Sequence, residues 1–151
     1  MFLLAIEPPA KRAVVFVDGQ NLFHAAREAF GYTCPNYNVA ALAKQACTVQ
    51  GWESNQVRFY TGVSDVGDNP RRHFFWTHTL AAMERQGVVT YSRPLRYRNR
   101  KAELSDGGQR SILTGEEKWI EVRIAIDVVA LGHRREYDVA LDSLYRRTVD
   151  D

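Results

Sequence analysis

Asp18 is the first residue of this 151-residue chain whose type and place could carry chemistry, because it ends the apolar run Ala13-Val-Val-Phe-Val17. A carboxylate where a buried strand leaves its sheet either coordinates a cation or caps the helix that follows. Gly19 permits a tight turn, and Asn21 offers a carbonyl and an amide one turn on. Glu117 and Glu121 stand i,i+4 near the expected start of a helix, where they either approach Asp18 or meet the positive end of the helix dipole. Asp127 falls on the apolar stripe of that helix, about 20° from Ile120 at ~100° per residue. A carboxylate there must be ion-paired, hydrogen-bonded or metal-bound, and Arg123, one turn earlier, is the competing partner. Glu121 and Asp127 are roughly 9 Å apart along the axis, so one ion would not touch both and one of them would act from behind the other.

Several acids gathered on one edge favour hard cations, Mg²⁺ or Mn²⁺. Such an ion beside a basic groove could activate water and stabilise the leaving oxygen of a phosphodiester. A basic groove is on offer: residues 71–110 hold nine Lys or Arg against three acids, +6 in a chain whose total is +2. Its densest part contains Arg93, Arg96, Arg98, Arg100 and Lys101, interleaved with Tyr97. Guanidinium groups meet phosphates and an aromatic ring stacks on a base, which points to single-stranded nucleic acid rather than only a solvated loop. The four histidines lack zinc spacing, and His24 alone lies near Asp18. No G-x-x-x-x-G-K-[ST], G-x-G-x-x-G or G-x-S-x-G occurs, which argues against P-loop, dinucleotide and hydrolase-elbow chemistry. Gln20 stands where a haloacid dehalogenase-type phosphatase needs a second Asp. Cys34 and Cys47 make neither a disulfide framework nor a C-x-x-C pair, which fits a reducing, cytoplasmic setting. No apolar run approaches the ~20 residues that span a bilayer. The sequence is compatible with a homodimer.

The elements that must position these residues read as βααβαβαβ. The strands are 13–17, 56–61, 87–92 and 137–142, with helices after each of the first three. The helices run through Leu22–Phe30, from Val39 with Asn38 as cap, from Pro70, and from Glu116 to about Gly132. Residues 93–115 read as a long polar loop. This alternation predicts an α/β three-layer sandwich with a mainly parallel central sheet, and sites in such sheets form beyond the carboxyl ends of the strands where strand order reverses. That rule selects Asp18 and Asn21, the loop after Tyr60, the loop after Ser92, and Asp142. The expected organisation is a leader over 1–12, one domain over 13–142 and a polar tail over 143–151.

The run Val15-Phe-Val-Asp-Gly-Gln-Asn-Leu-Phe23 resembles the opening of NYN domains, members of the PIN-like nuclease superfamily. Further pieces resemble the family in order: Arg58-Phe-Tyr-Thr-Gly62, Gln86-Gly-Val-Val89, Arg93-Pro-Leu-Arg-Tyr-Arg98, Glu116-Glu-Lys118, Ile124-Ala-Ile-Asp-Val128 and Tyr137-Asp-Val-Ala-Leu141. The resemblance implies a PIN-like fold and a metal-dependent ribonuclease whose site acids are Asp18, Glu121 and Asp127, assisted by Asn21. Three features depart from it. Trp119 replaces a usual Gly, Glu121 replaces a usual Asp, and Leu141 leads into Asp142-Ser-Leu-Tyr-Arg-Arg-Thr-Val-Asp-Asp151 instead of a Ser-rich, Asp-containing turn and another helix. The chain therefore reads as a truncated or diverged member in which Asp142 stands in for the missing ligand. A non-catalytic RNA-binding or protein-interaction module is the alternative.

Overall fold

The computed structural model describes residues 9–34 and 36–142. The expected tail over 143–151 lies outside the described residues, as do residues 1–8 of the expected leader. The chain runs β1 (Arg12–Asp18), α1 (Gly19–Phe30), α2 (Val39–Gln50), β2 (Glu53–Val63), α3 (Pro70–Arg85), β3 (Val89–Pro94), β4 (Arg96–Glu103), β5 (Gln109–Glu116), α4 (Ile120–His133) and β6 (Val139–Asp142). β3, β2, β1 and β6 form, in that order, a four-stranded parallel sheet. This is an α/β sandwich.

β1 is apolar on both faces because both are covered. Ala13, Val15 and Val17 pack with Val39, Ala43 and Cys47 of α2 and Trp76, Leu80 and Met83 of α3. Val14 and Phe16 point the other way and pack with Tyr60 of β2 and Ile120, Ile124 and Leu131 of α4. The helices end where left-handed glycines stop them, α1 at Gly31 (φ 70°) and α2 at Gly51 (φ 73°). Asn38 caps α2 by accepting from Ala41 N at 3.0 Å, and Pro70 opens α3 behind Asn69, which accepts from Arg72 N. The chain steps outward from β1 through β2 to β3, then returns to place β6 on the other side of β1. The reversal puts the carboxyl ends of β1 and β6 together, in the register Phe16 to Asp142.

Two expectations are corrected. Residues 96–116 are not a loop but an antiparallel hairpin, β4 on β5, in register from Arg96 opposite Glu116 to Glu103 opposite Gln109. The turn is made by Asp106-Gly107: Asp106 Oδ1 accepts from Gly108 N at 2.9 Å and Gly107 adopts φ 83°. That dipeptide is a strong hairpin signal. The flanking strands are polar and give no apolar alternation, because the ribbon covers no core and exposes both faces. Its base is tied to the end of β2, where Leu95 N donates to Val63 O at 3.0 Å and Asp65 N donates to Tyr97 Oη at 2.8 Å.

The second correction is the start of α4, at Ile120 rather than Glu116. β5 carries extended backbone as far as Glu116, and Trp119 then reverses the chain in the left-handed region at φ 69° without a side-chain cap. A bulky residue strains the backbone there by about 1–2 kcal/mol, and Trp119 is 55% exposed, so little packing offsets it. Trp119→Gly is expected to stabilise the fold by about 1 kcal/mol after the entropy cost of glycine is subtracted. Urea unfolding checks this, and a destabilised variant would show that the exposed indole is held by contacts worth more than the strain.

Candidate functional site

Asp18 is 3% exposed and caps α1, its Oδ1 accepting from Gln20 N at 3.0 Å and Asn21 N at 3.1 Å. The capping role weighed for it is thus real, and it aims the carboxylate at the end of the sheet. The turn is close: a Cβ on Gly19 would lie 2.5 Å from Phe59 Cζ and 3.1 Å from Tyr60 O. Asn21 contributes its backbone N–H to this cap and is half-buried.

Glu117 arrives from the turn between β5 and α4. Its Oε1 accepts from Gly62 N at 2.6 Å, and a Cβ on Gly62 would lie 2.7 Å from Glu117 Cγ. Burial pushes its carboxyl up to about 7, with the charges of Asp18 and Glu121 adding to the rise and Gly62 N–H and Arg72 opposing it. Asp18 is also raised, by burial first and by Glu121 as well, against its backbone hydrogen bonds. Asp142, at the end of β6, is raised by burial and then by Asp18 and Glu121. Glu121 is exposed in the first turn of α4. Four carboxylates from β1, the β5–α4 turn, α4 and β6 therefore feel one another across the edge where strand order reverses.

Asp127 is not one of them. It is 8% exposed on the inner face of α4, and the alternative reading of its stripe position is what the fold realises. Tyr60 Oη donates to its Oδ2 at 2.8 Å, Arg58 Nη2 to Oδ2 at 3.3 Å, and Arg123 Nε to Oδ1 at 3.1 Å. Arg123 also lies over the Tyr91 ring, 4.6 Å from its centroid. Burial pushes the Asp127 carboxyl up, but Tyr60, Arg123 and Arg58 outweigh it and hold the group below its ordinary value. Tyr60 rises to about 12, chiefly through burial. Both Asp127 oxygens are thus bound to cationic or phenolic donors, the ion-paired arrangement that competes with metal binding at this position.

The expected set of basic residues is spread out. Arg96, Arg98 and Arg100 alternate along β4 and share one of its faces, about 6.6 Å apart at two residues per step. Lys101 belongs to the opposite face. Arg93 lies near the end of β3 and lines a separate hollow with His73, Thr77 and Glu84. Arg100 is ion-paired with Glu116, whose carboxyl it holds below the usual range. The larger concavity, about 730 Å³, opens elsewhere, between α1 and α3, and Glu117 lines it. Its cations Arg27, Arg71 and Arg72 are residues the sequence did not single out. Arg71 and Arg72 were visible only as members of a basic stretch, though their place after Pro70 set them at a helix start facing the sheet edge.

The carboxylate donors are hard oxygens and suit a divalent cation. Among the described residues, no group of three His, Cys, Asp or Glu closes tightly enough to hold an ion as it stands. The carboxyls of Asp18, Glu117 and Asp142 are raised by burial first and by neighbouring carboxylates second.

Glu117 binds its proton more tightly in the fold (about 7) than in the unfolded chain (4.5). The stability this contributes is full below about pH 4.5 and is lost as pH rises through 7. Glu117→Gln keeps an acceptor for Gly62 and removes the titration. The variant is expected to exceed the wild type by about 3 kcal/mol at pH 8, with the gap closing by pH 4.5. Urea denaturation across that range checks it, and a pH-independent gap would refute the raised value. Asp127→Ala leaves Arg58 half-buried without its anion and should cost about 3 kcal/mol, against about 1 kcal/mol for Tyr60→Phe. Equal, small losses in the same denaturation experiment would show that the network is not what docks α4. No helix among the described residues is long and apolar enough to cross a membrane. Comparison with protein-family models, curated proteins and solved structures finds no match.

Proposed function

We propose that this chain is a Mg²⁺- or Mn²⁺-dependent ribonuclease acting on single-stranded RNA, built as a PIN-like NYN domain. The observation that supports it most is the convergence of Asp18, Glu117, Glu121 and Asp142 on the edge where strand order reverses, with Asp18, Glu117 and Asp142 each carrying a raised pKa. Asp18, Glu121 and Asp142 would hold the ion, and Asn21 would help to shape the turn beneath it. When bound, a divalent ion there supplies Lewis-acid stabilisation of a phosphodiester's developing charge and a more acidic water. Glu117, with a pKa of about 7 and Oε1 fixed by Gly62 N–H, is suited to accept a proton near neutral pH. Arg96 and Arg98 on the outer face of β4 would meet the RNA backbone. Asp127 would serve only by docking α4, which carries Glu121.

One observation favours a second reading, an RNA-binding module without turnover: no three donors among the described residues close around an ion. Labelled single-stranded RNA with Mn²⁺ separates the two. The ribonuclease reading expects cleavage that falls by roughly 100-fold in Asp18→Asn. Binding without cleavage would support the module, and equal cleavage by both proteins would place the activity outside this site. Arg96→Ala with Arg98→Ala should lower the slope of log affinity against log salt by about one unit per arginine.

A further inference from the structure

The cleft between α1 and α3 carries charge of the opposite sign to the acidic edge beside it. Gln20, Phe23, His24 and Arg27 enter it from one face of α1, at i, i+3, i+4 and i+7 spacing. Arg71, Arg72 and Phe75 enter it from the first turns of α3. Thr61 and Gly62 at the end of β2, and Glu117, make its floor. None of the three arginines forms an ion pair with an acid among the described residues, and all three are exposed. Arg72 is close enough to Glu117 to lower the carboxyl's pKa against its burial. Three guanidinium groups line one concavity with a single acid at its floor, which gives it a net positive potential that attracts an anion.

Size and lining narrow the class of anion. About 730 Å³ lies within the range of sites for organic ligands and far exceeds what a free phosphate fills. Arginine forks match phosphate oxygens in bidentate fashion. Phe23 and Phe75 are half-buried aromatic walls, one on each helix, and a nucleobase stacks on such faces whatever its sequence. We infer that this cleft is a nucleotide-binding site, taking a nucleoside 5′-monophosphate or one nucleotide unit of RNA, with Arg27, Arg71 and Arg72 on the phosphate and Phe23 and Phe75 flanking the base. The site goes beyond the ribonuclease reading and stands without it. If both hold, Glu117 is the residue they share, and the bound unit lies one step along the strand from the scissile bond.

Calorimetry in EDTA, with adenosine 5′-monophosphate, adenosine and inorganic phosphate as separate titrants, tests the cleft without any metal-dependent step. The monophosphate is expected to bind saturably and more tightly than either other titrant. Arg71→Ala, Arg72→Ala and Arg27→Ala, on two different helices and all solvent-exposed, should each weaken it about tenfold or more, with unchanged circular dichroism. Four results would overturn the site: no binding of the monophosphate at millimolar concentration, adenosine binding as tightly, phosphate binding as tightly, or full affinity in all three arginine variants. Failure here is distinct from failure of the ribonuclease reading. A protein that binds the monophosphate yet leaves RNA intact keeps the cleft and loses the nuclease, and one that cleaves RNA with a silent cleft does the reverse.

Discussion

Everything at the acidic edge depends on how α4 is fastened to the sheet. Ile120, Ile124 and Leu131 supply the apolar contact with Phe16 and Tyr60, but apolar packing alone leaves a helix free to slide or turn. Asp127 removes that freedom. Its carboxylate meets Tyr60 and Arg58 of β2 and Arg123 of its own helix, so a shift of α4 would leave several buried polar groups unpaired at once. With α4 fixed, the preceding turn sets Glu117 on Gly62 and the first helical turn presents Glu121. The anchor, the apolar packing of α4 and the Gly62–Glu117 hydrogen bond together bring the glutamates on or before α4 to the edge that Asp18 ends.

The acids so gathered are in tension. Burial and mutual repulsion disfavour ionisation of Asp18, Glu117 and Asp142. A fold that gains only a few kcal/mol overall retains such an arrangement at a cost, and perturbed carboxylates gathered at the switch point of a parallel sheet are where function is expected. The anchor at Asp127 is the contrasting case. It is also a buried carboxylate, but one supplied with cations, and its pKa falls. Burial is common to both places; at Asp127 direct hydrogen bonds from Tyr60, Arg123 and Arg58 outweigh it, and at Asp18, Glu117 and Asp142 burial and neighbouring acids prevail.

Positive charge is divided between two places of different character. The β4–β5 ribbon exposes arginines on a surface with no core beneath it, held to the domain at its base by Leu95 and Tyr97. The α1–α3 cleft holds its arginines on two helices capped by Asp18 and Asn69, so their backbones are placed by the same turns that place the acidic edge. Cations on the ribbon suit loose contact with a chain of phosphates. Those in the cleft suit one group held in one position.

Period and punctuation in the sequence were enough for the α/β order, the doubly buried β1, the glycine stops after α1 and α2, and the caps at Asn38 and Pro70, because these are decided within a few residues. The same local logic placed Asp18 at a strand end and Asp127 on an apolar stripe. It failed for the ribbon, whose strands bury nothing and so show no apolar alternation, and for the start of α4, where a tryptophan occupies a backbone region that glycine prefers. Which partner satisfied Asp127, which acids came within reach of Asp18, and which arginines faced a common space were decided only by tertiary structure. Those outcomes depend on the crossing of elements scores of residues apart, such as Arg58 with Asp127 or Gly62 with Glu117, and no spacing along the chain encodes the direction in which a packed side chain finds its counter-charge.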